Sequence, residues 1–151
     1  FYLAYQKTAL QSGEFVERVS IPIPRTTLSF ATYKISKRFD QDISAVCAAF
    51  ALDMDGEKIR MARVAFGGMA ATPKRAAHCE AALTGAVWTE ATCEAAANVI
   101  GTDFAPLSDM RASSAYRLRV AQNLIRKFYL ASSGGIGRAP SGLYDLAEVP
   151  E

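Results

Sequence analysis

Histidine is nearly absent from this chain. His78 stands alone among 151 residues, so no multi-histidine metal site can be assembled from these residues by themselves. Cysteine is scarce too: Cys47, Cys79 and Cys93 are odd in number and stand at no metal-ligand spacing. That argues against a disulfide framework and leaves the reduced thiols of a cytoplasmic protein as the expectation. No apolar run reaches the roughly 18 residues of a membrane span. A dominant charge is lacking as well, since 17 Lys plus Arg face 15 Asp plus Glu for a net +2. So even a balance advertises neither nucleic acid nor a membrane surface as partner. The first residues, Phe1-Tyr2-Leu3-Ala4-Tyr5, contain no Met and no signal-peptide layout. We read the chain as a portion of something longer, with part of any active site on other residues.

What is present is an ordinary globular mixture, 50% hydrophobic and 21% charged, at 16.3 kDa the size of one domain. The first half reads mostly as strand. Phe15, Val19 and Ile21 share a parity before Pro22 and Pro24 end the run. Leu28 to Ile35 is rich in Thr, Phe and Tyr and reads as a second strand. Ala45 to Met54 and Lys58 to Phe66 flank Asp55-Gly56-Glu57, a hairpin turn. In the first arm Val46, Phe50, Leu52 and Met54 form a bulky face, and Ala45, Cys47, Ala49 and Ala51 a face of small side chains. The small face admits close approach, and a packed helix is expected there.

From Thr72 to about Leu130 the periodicity is helical. Thr72 and Pro73 suit the start of a first helix and Gly85 its end; Thr89 caps a second that Gly101 closes. Lys74 and Arg75 then fall in a first helical turn, where the dipole disfavours them, so partners elsewhere are expected. The third helix begins near Ser113. Tyr116, Val120, Ala121, Leu124, Ile125 and Phe128 form its apolar stripe, with Arg117, Arg119, Arg126 and Lys127 mainly on a solvated or partner-facing side. Residues 132–151 lack periodicity and read as a Gly/Ser/Pro-containing tail after a domain of residues 1–131. The fold class is therefore α+β: an antiparallel sheet of three or four strands packed against a layer of about three helices.

The chemistry is sparse. Lys34-Ile35-Ser36-Lys37-Arg38-Phe39-Asp40-Gln41-Asp42 places cations, an aromatic and carboxylates on one connection, where a solvated loop is the ordinary reading. Such cations can stabilise an electron-rich ring and the carboxylates can set or repel a neighbouring charge. Gly67-Gly68-Met69-Ala70-Ala71-Thr72-Pro73 has neither nucleotide-loop spacing and reads as a sharp turn from strand to helix. His78 with Cys79 or Glu80 is no dyad by adjacency alone, because neighbours on a helix point apart. Trp88 suits a staple against Cys93, and Asp109, Arg111 and Tyr116 suit a polar knot pinning the third helix. No complete catalytic set is present.

In order and spacing, these stretches resemble one family. Tyr5-Gln6-Lys7-Thr8-Ala9-Leu10 with Gly13-Glu14, Ile21-Pro22, Lys34 through Ile43, Phe66-Gly67-Gly68-Met69-Ala70, Pro73-Lys74-Arg75-Ala76 and Asp109-Met110-Arg111-Ala112-Ser113 with Tyr116-Arg117 look like the C-terminal subdomain of molybdenum-hydroxylase flavoproteins. The xanthine dehydrogenase branch is the most similar. The resemblance implies an electron-transfer role. In that family a purine is hydroxylated at a molybdopterin centre in a large partner subunit, and electrons pass through two 2Fe-2S clusters to FAD and then to NAD. Implied partners are a preceding FAD domain, an iron–sulfur domain and the molybdopterin-binding subunit, in a paired hetero-oligomer with no nucleic acid and no membrane. Carried over by position, Val16, Lys34 and Asp42 are implied FAD contacts, and Arg38, Asp40 and Gln41 belong to a flavin-side loop governing NAD access. Gln41 stands where some relatives have an acid. Other molybdenum hydroxylases, acting on carbon monoxide, aromatic thioesters or heterocycles, and a cofactor-free interaction domain are the alternatives.

Overall fold

The computed structural model describes residues 1–38 and 41–133. The predicted tail beyond residue 133 therefore lies outside the described residues, as do Phe39 and Asp40. A small antiparallel ribbon of β1 (Tyr2–Ala4) and β2 (Lys7–Thr8) opens the chain, turning through Gln6 at φ +54°. The strand expected around Phe15, Val19 and Ile21 does not form. Those side chains are 79%, 74% and 82% exposed, with no neighbouring strand among the described residues to complete their alternation.

The main sheet is antiparallel, in the order β3 (Leu28–Ile35), β4 (Val46–Asp55), β5 (Lys58–Gly67) and β6 (Lys74–Arg75). The β4–β5 hairpin closes where Asp55 pairs with Lys58, around Gly56 at φ +59°, a conformation that suits glycine. Helices follow: α1 (Ala77–Leu83), α2 (Glu90–Asn98), the single turn α3 (Ile100–Asp103) and α4 (Ser114–Ser132). Thr89 caps α2 by accepting from the Thr92 amide, and Ser113 caps α4 by accepting from Tyr116. The molecule is α+β, a four-stranded sheet under a helical layer.

The helices cover the bulky face of the hairpin, not the small one. Val46, Ala48, Phe50 and Leu52 of β4 join Ile59, Ala62, Val64 and Phe66 of β5 in the core. Phe50 stacks on Phe128 of α4 at 5.1 Å and meets Phe66 edge-on at 5.9 Å. Large side chains bury more apolar area per contact, so the layer forms where they are. Among the described residues the small face is uncovered: Cys47 is exposed and Ala49 and Ala51 are half-buried, with exposed Phe30, Thr32 and Lys34 on the same side of β3.

Two helix boundaries and the placing of one arginine also differ from expectation. Lys74 and Arg75 form β6 against Phe66 and Ala65, and the helix starts only at Ala77. The reason is Glu80, whose Oε1 accepts from the Val64 amide at 2.8 Å and from Arg75 Nε at 2.7 Å, completing the sheet edge. Lys74 donates to the Asp103 carbonyl and lies over the Phe104 ring. Gly101 sits inside α3 and does not end α2. Arg117, expected on a solvated side, is 3% exposed. Among the described residues no helix is long and apolar enough to cross a membrane.

Candidate functional site

Three loops meet at one end of the sheet: the described residues 36–38 and 41–45 between β3 and β4, 67–73 from the last residue of β5, and 105–112 ahead of α4. They wall a cavity of about 790 Å³ lined by Cys47, Gly67 and Gly68 together with the protruding Tyr5, Ile43 and Leu107. Cys47 and Gly67 face each other across β4 and β5 on the open side of the sheet. Lys34 is the register partner of Cys47 on β3, so its exposed side chain stands beside that floor.

Arg117 joins the loops from below. Its Nη1 donates to the Gly68 carbonyl at 2.8 Å and to the Ala45 carbonyl, and its Nη2 donates to Asp109 Oδ1 at 2.7 Å. Gly68 makes this possible: at φ +78°, a Cβ there would strike the Ala45 carbonyl and stand 3.2 Å from Arg117 Nη1. The Ala112 amide, against the opposing effect of burial, and then the Arg111 amide and Arg117 hold the Asp109 carboxyl down to about 2. A second tie runs from Lys37 Nζ to the Met110 carbonyl at 2.6 Å. The expected polar knot thus exists around Asp109 and Arg111, but its third member is Arg117; Tyr116 points outward at 49% exposure.

The predicted site residues fall in different places. Lys34 is outside the cavity lining; it stands one strand away from Cys47, on the same face of the sheet. Asp42 spends both oxygens on its own loop, accepting from the Arg38 amide at 2.9 Å and the Ile43 amide at 3.0 Å. Those bonds, the Arg38 amide first, hold its carboxyl below the usual range. Arg38 also donates to the Gln41 carbonyl, and Gln41 adopts φ +49° to close the turn. These residues shape the loop whose next members, Ile43 and Ser44, line the cavity. Val16 lies outside that lining, on the extended segment before β3, and Asp40 lies outside the described residues.

Family comparison decides what this site belongs to. The domain family described as CO dehydrogenase flavoprotein C-terminal domain matches residues 31–132. The chain belongs to this family. As a CO dehydrogenase flavoprotein C-terminal domain, it is 30% identical to the xanthine dehydrogenase FAD-binding subunit of Escherichia coli O157:H7, over 89% of this chain and 48% of that subunit. It is 28% identical to the carbon monoxide dehydrogenase medium chain of Afipia carboxidovorans, over 84% of this chain and 44% of the relative. Among solved structures, quinoline 2-oxidoreductase from Pseudomonas putida 86 superimposes with a TM-score of 0.75 at 30% identity, covering 88% of this chain and 46% of that one. The chain therefore spans about half the length of these relatives.

Within this flavoprotein C-terminal domain the cavity can take a flat, largely apolar ring. Cys47, Gly67 and the neighbouring Ala49 and Ala65 leave a low floor, and a Cβ at Gly67 would stand 3.6 Å from that of Cys47. Both guanidiniums lining the cavity, Arg111 and Arg117, are already bound to Asp109. The side-chain pairs considered from sequence for nucleophilic chemistry do not assemble. Burial pushes the Cys79 thiol up to about 12, His78 Nδ1 pairs with Asp103 Oδ1 at 2.8 Å, and Glu80 serves the sheet edge. Trp88 packs on Phe128 and Tyr129 of α4, donates to Ser132 Oγ at 2.9 Å and lies against the core cluster that includes Cys93. Sequence reasoning singled out Gly67-Gly68 as a turn but missed that Cys47, Tyr5 and Arg117 share its cavity. Their separation along the chain left no local signal.

Proposed function

We propose that this chain is the flavin-adjacent subdomain, residues 1–131 with a tail of 132–151, of a cytoplasmic xanthine dehydrogenase-like molybdenum hydroxylase. Its partners would be a preceding FAD domain, an iron–sulfur domain and a molybdopterin-binding subunit, in a paired hetero-oligomer. The observation that carries this reading is the cavity beside Lys34 in a domain of the flavoprotein family. Its short apolar lining fits the isoalloxazine ring. Its engaged arginines do not fit the pyrophosphate, which we assign to the preceding domain. Bound FAD supplies a carrier that accepts electrons from 2Fe-2S clusters and delivers a pair to NAD.

This chain's own work is to bind and to set the field. Lys34 presents a positive charge one strand from the cavity floor, favouring negative charge on a bound ring. Arg38, Asp40 and Gln41 are assigned to the loop that governs approach of NAD, and Asp42 is assigned as an FAD contact that also shapes this loop through its bonds to the Arg38 and Ile43 amides. Val16 is a further apolar contact from the segment before β3.

An anaerobic absorbance spectrum of the whole enzyme tests the reading. Xanthine is expected to bleach the flavin and iron–sulfur bands, and NAD to restore them. In the same enzyme Lys34→Gln is expected to raise the FAD Kd about tenfold, the effect of one charge-assisted contact. An enzyme without flavin overturns the assignment. The comparable match to the carbon monoxide and quinoline enzymes favours a second reading, the same flavin role with another substrate. Bands bleached by carbon monoxide or quinoline and untouched by xanthine would select it.

A further inference from the structure

We infer that Arg117 is a positioning residue for this site: from α4 its guanidinium holds the three cavity-walling loops in one arrangement, and so sets where Ile43 and Ser44 stand against the bound ring. The inference rests on the flavin-facing reading of the cavity. Arg117 is 3% exposed, and its hydrogen bonds go to Ala45, Gly68 and Asp109, one on each loop. A guanidinium this buried is held by its acceptors, and here the three acceptors of Nη1 and Nη2 belong to three different walls, while Nε has no partner among the described residues. Ala45 directly follows Ile43 and Ser44, which line the cavity, so displacing its carbonyl moves that wall. The Lys37 bond to the Met110 carbonyl ties the same first and third loops at their outer edge, making them a coupled pair. The pairing with Asp109 persists to low pH, because that carboxyl is held down to about 2. Arg126, on the same helix, makes a comparable two-bond pair with Glu94 of α2, away from the cavity, and serves as the control.

The experiment compares Arg117→Gln, Arg117→Lys, Asp109→Asn and Arg126→Gln in the whole enzyme. It reads hydrogen exchange by peptide, FAD Kd, and KM and kcat for the electron acceptor. Arg117→Gln is expected to speed exchange in 36–45, 67–73 and 105–112 together while β4, β5 and α2 keep their protection. It is also expected to raise the FAD Kd and the acceptor KM about tenfold with a smaller change in kcat. Arg117→Lys should recover part of the effect, and Arg126→Gln should leave FAD binding unchanged. If Arg117→Gln fails to fold, Asp109→Asn, which keeps the two carbonyl bonds, should loosen 105–112 and give an intermediate rise in FAD Kd. Loosened loops with unchanged FAD and acceptor binding overturn the inference. Whether the flavin-facing reading falls too is decided by Lys34→Gln: if that variant is also silent both fail, and if it weakens FAD only Arg117 is wrongly assigned.

Discussion

Asp103 caps a helix other than its own. α1 begins after Ala76, which offers no side-chain cap, and the carboxylate of Asp103 in α3 accepts from the His78 amide at 2.9 Å and the Cys79 amide at 3.0 Å. Burial by itself would raise the Asp103 pKa, but these amides and the His78 ring outweigh it and the net shift is downward. A carboxyl lowered in the folded state adds stability that is present above its unfolded value near 3.9 and lost as pH falls through the folded one. Asp103→Ala is therefore expected to cost about 1–2 kcal/mol at neutral pH, the usual loss of a cap. Urea unfolding at pH 7 and at pH 3 checks this, since the gap between variant and parent should narrow at the lower pH; an equal gap at both would rule the linkage out. Nothing in the sequence near Ala77 announced this cap, because the capping group lies 25 residues away.

At the scale of elements, the parts that local chemistry specifies were readable in advance. The β4–β5 hairpin follows from alternation on either side of Asp55-Gly56-Glu57, and α4 from its stripe and its Ser113 cap. β6 was not readable, since Thr72-Pro73 is a sound helix start until Glu80 offers its carboxylate to the Val64 amide and to Arg75. Removing that carboxylate should expose the dependence. Glu80→Ala leaves a part-buried amide and a guanidinium unpaired and is expected to cost about 1–3 kcal/mol in denaturant unfolding. Gly68→Ala belongs to the same scale: its positive φ and the clash with the Ala45 carbonyl are expected to cost at least about 1 kcal/mol. A calorimetric Tm unchanged by Gly68→Ala would contradict the close approach of loops 36–45 and 67–73.

At the scale of the molecule, placing the helices on the bulky face leaves the other sheet surface uncovered among the described residues. Phe30 is 59% exposed there, and Phe15, Ile21 and Ile23 of the leading segment are more exposed still. Apolar surface on this scale drives association when nothing covers it. The isolated chain is expected to self-associate, and Phe30→Ser to shift it toward monomer without lowering its Tm, as light scattering alongside calorimetry would show.

Composition, parity and turn chemistry sufficed for the α+β class, the hairpin, β3 and α4, since each depends on neighbours within a turn or a strand repeat. The order of family motifs sufficed to anticipate the flavoprotein domain. Which face of the hairpin the helices cover, the burial of Arg117 and the cavity itself waited for packing. An alternation with one bulky and one small face admits a packed layer on either side, and only the assembled helices decided for the larger apolar area; Arg117 can be buried only when acceptors 72, 49 and 8 residues away converge on it.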